Sequence, residues 1–71
     1  MTRREFDQNL EGQHLRLRHR NWVYEVTHSS HHGGKYAHTV VAIAPTDTMA
    51  STGLTYMVAS TPSRWDLLGE A

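Results

Sequence analysis

From Gln13 to Arg18 apolar and polar side chains alternate, with Leu15 and Leu17 on one side and Arg16 and Arg18 on the other. A period of two marks a half-buried strand. Asn21 is a turn residue after it. Trp22-Val23-Tyr24-Glu25-Val26-Thr27-His28 is rich in β-branched and aromatic residues, which suit a pleated surface. The same period turns Trp22, Tyr24 and Val26 toward the core and leaves Val23, Glu25 and Thr27 outside. The two segments are expected to pair as a hairpin, although Arg20-Asn21 is not among the strong turn dipeptides. Ser29 to Gly34 reads as a loop by composition. A third strand spans Tyr36 to Ala44, centred on Val40, Val41 and Ile43, and Pro45 ends it because proline cannot donate to a ladder. Thr46 to Gly53 has no clean period and reads as a loop. Leu54 to Val58 is a fourth strand, with Leu54, Tyr56 and Val58 on one side and Pro62 closing it.

The two ends carry helical signals. Thr2 caps a helix of barely three turns, with Glu5 as its capping-box partner. Phe6 and Leu10 share one face of it, and Gly12 stops it. At the other end, Ser63 to Leu68 reads as one helical turn, capped by Ser63 with Asp66 three residues on, or as a short final strand. Either version lets Trp65 and Leu68 pin the tail to the core. The expected fold is therefore mainly β, a single domain over residues 1–71. Four to five short strands with a bent hairpin fit a small SH3-like barrel with a short N-terminal helix and a C-terminal helical turn. An OB-like barrel is the longer alternative, and an open sheet with two short helices gives nearly the same pattern. None of these folds implies a function.

Composition narrows the classes. A chain of 71 residues buries only about 60% of its unfolded surface, so its stability should be modest. It has no cysteine, which removes disulfides and thiolate metal sites. No apolar run reaches the length needed to span a bilayer, and the first seven residues hold no apolar stretch resembling a signal peptide. The expectation is a soluble, cytoplasmic protein with no membrane partner. Seven basic and seven acidic residues give zero formal charge, unlike a strongly basic nucleic-acid binder.

Three features could carry chemistry. Arg16, Arg18 and Arg20 form a basic stripe spaced by about 6.6 Å, since alternate residues share a face. Guanidiniums grip phosphates or carboxylates in a two-pronged way. Trp22, Tyr24 or Tyr36 could stack bases beside the stripe, and His14 and His19 add charge at low pH. The plainer reading is a solvated strand face, partly neutralised by Glu25 across the hairpin. The second feature is His28, His31 and His32 followed by His38. Neutral imidazoles suit zinc or nickel, and a hairpin could bring His28 and His38 together. No carboxylate stands nearby in sequence to orient the rings, so the plainer reading is a polar loop. Clustered histidines near arginines could also sense pH. The third is Trp65, either a hot spot for a partner or a plug for one end of the barrel.

No enzymatic motif is present. There is no cysteine nucleophile, no G-x-S-x-G elbow and no phosphate-binding glycine loop. A domain of this size is also expected to lack room for a pocket of the usual 300 Å³ or more. The leading expectation is a non-enzymatic protein-binding module or regulator, an adaptor or inhibitor docking a sheet face or edge onto a larger protein. It needs no cofactor. The binding candidates are Arg16, Arg18, Arg20, Trp22, Tyr36 and Trp65. One alternative is a nucleic-acid-binding barrel that uses the arginine stripe. Another is a metal or pH sensor holding zinc or nickel through His28, His31, His32 and His38. An exposed edge strand would also let two copies pair as a homodimer.

Overall fold

The computed structural model describes residues 1–44 and 56–70. Pro45, the Thr46 to Gly53 segment and Leu54 of the expected fourth strand lie outside the described residues. A helical turn, α1 (Arg3–Phe6), precedes strands β1 (Gln13–Leu17), β2 (Val23–His32), β3 (Lys35–Ala44) and β4 (Tyr56–Ala59). A 3-10 turn (Pro62–Arg64) then leads into β5 (Trp65–Glu70). The five strands make one antiparallel sheet in the order β4-β3-β2-β1-β5. Of the two alternatives for Ser63 to Leu68, the strand holds from Trp65 onward, and the helical turn is confined to the 3-10 turn at Pro62–Arg64. The turn's cap position is Thr61 rather than Ser63.

The capping box forms as expected. Thr2 Oγ1 accepts from the Glu5 N–H, and Glu5 Oε1 accepts from the Thr2 N–H at 2.9 Å. That backbone donor and the Thr2 hydroxyl hold the Glu5 carboxyl below the usual carboxylate range. The helix is one turn long, not three. Its backbone donors are diverted by side chains: Asn9 Oδ1 takes the Glu11 N–H and Ser29 Oγ takes the Leu10 N–H. Asp7 leaves the helical region, accepts from the Tyr36 N–H through Oδ1 and pairs with Arg3 through Oδ2. Phe6 and Leu10 are still buried, so the segment meets the core through a turn rather than a helical face.

The main departure from the expected pattern is in β2. Ser29 to His32 is strand, not loop, and the reversal is confined to Gly33 and Gly34 with φ of +57° and +84°. A two-residue turn with positive φ at both positions matches the twist of its strands. Val26 opposes Val40, but the next partner pair is His28 and Thr39. One extra residue has entered β2, which makes a β-bulge. A one-residue slip exchanges the faces of a strand. Tyr24 and Val26 point inward before the bulge; after it the half-buried Ser29 faces the core opposite His38, and the exposed His31 continues that side beyond the core opposite Tyr36. Phe6, Leu10, Leu15, Tyr24, Val26, Val40, Ala42, Ala59 and Trp65 form the core. Among the described residues no helix is long and apolar enough to cross a membrane.

Candidate functional site

The bulge decides where the histidines go. His38 is fully buried, with its Nδ1 2.8 Å from Ser29 Oγ and its Nε2 2.7 Å from the Phe6 carbonyl oxygen. A carbonyl can only accept, so Nε2 carries the proton; in the neutral ring, Nδ1 then accepts from the Ser29 hydroxyl. His31 and Tyr36 continue this face, with Tyr36 stacked 4.9 Å from His31 and 5.9 Å from His38. His28, His31 and His32 are exposed, and His28 lies 3.3 Å from Glu11. The four histidines therefore do not converge, and among the described residues no group of three potential ligands gathers. Glu11 is the carboxylate beside the cluster that sequence spacing did not suggest.

Of the expected arginine stripe, Arg16 and Arg18 stay together while Arg20, beyond the end of β1 at Leu17, does not join them, and their neutralising partner is Asp66 rather than Glu25. Asp66 opposes Arg16 across β1 and β5. Its Oδ2 lies 3.3 Å from the Arg16 guanidinium and its Oδ1 3.0 Å from that of Arg18. The hydrogen bond from Arg18 holds the Asp66 carboxyl below the usual aspartate range; desolvation opposes it, and the hydrogen bond from Arg16 and the charges of both guanidiniums add to the lowering. Glu25 instead faces His14 at 3.7 Å. A carboxyl held low in the folded state stabilises it above the unfolded value of about 3.9 and loses that contribution as pH falls below it. Asp66→Asn should therefore lower Tm by a few degrees between pH 5 and pH 7 and converge on the parent near pH 2, which flattens part of the acid fall. Melting curves across that range, compared with the parent, check this.

Arg20 sits in the connection between β1 and β2, where its N–H donates to the Leu17 carbonyl at 3.0 Å. The Arg18 N–H reaches across to the Arg64 carbonyl at 2.8 Å, fastening this connection to the 3-10 turn. Between the two lies an open cleft of about 620 Å³, twice the size expected to fit. Leu17, Tyr24 and Met57 give it apolar walls. His19, Arg20, Ser63 and Arg64 supply its polar side, with no carboxylate among the described lining residues. Trp65 is buried, its ring edge-on to Tyr24 at 5.2 Å, and Trp22 is half-buried and stacked on Tyr24. Neither tryptophan is a free surface anchor.

Beside the cleft is β4, which has β3 on one side and no partner strand on the other among the described residues. Tyr56 is 62%, Met57 37% and Val58 62% exposed, and no charge falls in Tyr56–Ala59. The opposite edge, β5, carries Asp66, Glu70 and a register shift beside Gly69 at φ +89°. Charge and irregularity blunt a sheet edge; β5 carries both, and the described residues of β4 carry neither. Arg64, Met57 and Ser63 escape sequence reading, because the cleft joins turns about 40 residues apart; the one local signal is a cation immediately after a proline turn.

Comparison with protein-family models, with curated proteins and with solved structures gives no match.

Proposed function

We propose that this chain is a non-enzymatic protein-binding module, an adaptor or inhibitor, that takes an extended segment of a larger protein along β4. The observation that carries this reading is the uncharged apolar edge of Tyr56, Met57 and Val58. An exposed edge offers unpaired N–H and C=O groups, and a peptide adding there gains main-chain hydrogen bonds and side-chain contacts at alternate positions. The finer fold reading, a small SH3-like barrel, is supported by the β1-to-β4 meander and by the 3-10 turn that returns β5 to β1. The nucleic-acid reading is weaker, because Arg16 and Arg18 share one carboxylate and Tyr36 is engaged by two histidines.

The test is a pull-down from whole-cell extract, with and without nuclease, using the parent and a Tyr56→Lys/Val58→Lys variant. Both positions are well exposed, so each change should alter stability by no more than about 0.5 kcal/mol, while lysine on an edge discourages strand addition. The expected result is one dominant protein that survives nuclease and disappears with the variant. Equal recovery by both proteins, or recovery that vanishes with nuclease, overturns the reading.

A further inference from the structure

We propose that the segment docked on β4 carries an acidic side chain, an aspartate or glutamate, which sits in the cleft against Arg20 and Arg64. This rests on the docking reading and names the chemistry of its partner. The distribution of ion pairs points to it. Arg3 is paired with Asp7, and Arg16 and Arg18 with Asp66. Among the described residues Arg4, Arg20, Lys35 and Arg64 have no carboxylate partner, and two of these four line one cleft.

The cleft is also continuous with the edge. A second hollow, of about 120 Å³, shares Leu17, Met57 and Arg64 with the first and adds Val58. Met57 is thus both a residue of β4 and a wall of the cationic cleft. A chain lying on β4 meets apolar surface at Met57 and Val58 and then guanidiniums within the same depression. Guanidinium forks match a carboxylate with two parallel hydrogen bonds. The apolar walls beside them exclude water from one side, which strengthens such a bond relative to bulk solvent. A purely basic or purely polar segment would leave both features unused.

The experiment is selection of short random peptides displayed on phage against the full chain, followed by affinity measurement of an enriched peptide. Three variants are compared with the parent: Arg20→Ala, Arg64→Ala and Tyr56→Lys/Val58→Lys. Enriched peptides should combine Asp or Glu with β-branched or aromatic residues. Arg64→Ala should weaken an enriched peptide about tenfold, one charge-assisted contact's worth. Changing the peptide's acid to its amide should cost a similar factor, and the two losses should not add. Enrichment of neutral peptides, or affinities indifferent to both arginine changes, overturns the acidic assignment. The edge reading still stands in that case if Tyr56→Lys/Val58→Lys abolishes binding. If no peptide enriches on the parent, both fall.

Discussion

Trp65→Ala is expected to lower Tm by about 12–40 °C, enough to leave much of the chain unfolded near 37 °C. The side chain is 2% exposed and is the largest in the core. Removing a buried tryptophan costs about 3–5 kcal/mol through lost transfer energy and the cavity left behind. A domain of 71 residues has about 4–10 kcal/mol in total, and each kcal/mol moves Tm by about 4–8 °C at this size. The position matters as much as the volume. Among the described residues strand β5 pairs with β1 alone; besides that ladder and the Asp66 ion pairs, its attachment rests on Trp65 packed edge-on against Tyr24 and on the Met1 ammonium that donates to the Trp65 carbonyl. Thermal unfolding followed by circular dichroism checks the prediction. Leu68→Ala on the same strand is the comparison: Leu68 is 47% exposed, and its loss should move Tm by only a few degrees. Equal effects at the two positions would mean that Trp65 does not anchor the tail.

Much of this core is legible in the chain because it follows local rules. Alternation placed Leu15, Tyr24 and Val26 inside, and all three are buried. The capping box at Thr2 and Glu5 is read from spacing alone and forms. The failures share one cause, which is that polar groups at long range replace an apolar pattern. Ser29 to His32 looks like a loop because its inner face is held by hydrogen bonds to the α1 region, not by buried hydrocarbon. Nothing in the run Val26-Thr27-His28 announces the bulge that exchanges its faces. The arginine stripe was visible, but Asp66 is 50 positions from Arg16, whereas the hairpin made Glu25 the obvious partner. The cleft was illegible for the same reason: its cations come from two turns that only the return of β5 to β1 brings together.

His38→Leu is the second large effect, with an expected loss of about 2–4 kcal/mol in urea unfolding. The ring is fully buried and both nitrogens are bonded. Leucine fills similar space but leaves the Phe6 carbonyl and the Ser29 hydroxyl without their partner, and an orphaned buried polar group costs about 1–3 kcal/mol. Ser29→Ala attacks the same lock from the other side. It removes the hydroxyl at Nδ1 and also the acceptor for the Leu10 N–H. Because the two changes share a bond, the double variant should be less destabilised than the sum of the singles by about 0.5–3 kcal/mol. Strict additivity would reduce His38 to a space-filling ring. Non-additivity assigns it the task of fastening the N-terminal turn to the long β2–β3 hairpin. That task requires both ring nitrogens, so His38 could join a metal site with its neighbours only by releasing the Phe6 carbonyl or Ser29. Ser29 lies on β2, across β3 from the β4 edge, and its bond to His38, which itself opposes Ala59 of β4, does not involve Tyr56, Met57 or Val58. The Ser29→Ala variant, where it remains folded, should therefore hold an enriched peptide as tightly as the parent does, which separates the contacts that build the sheet from the edge that uses it.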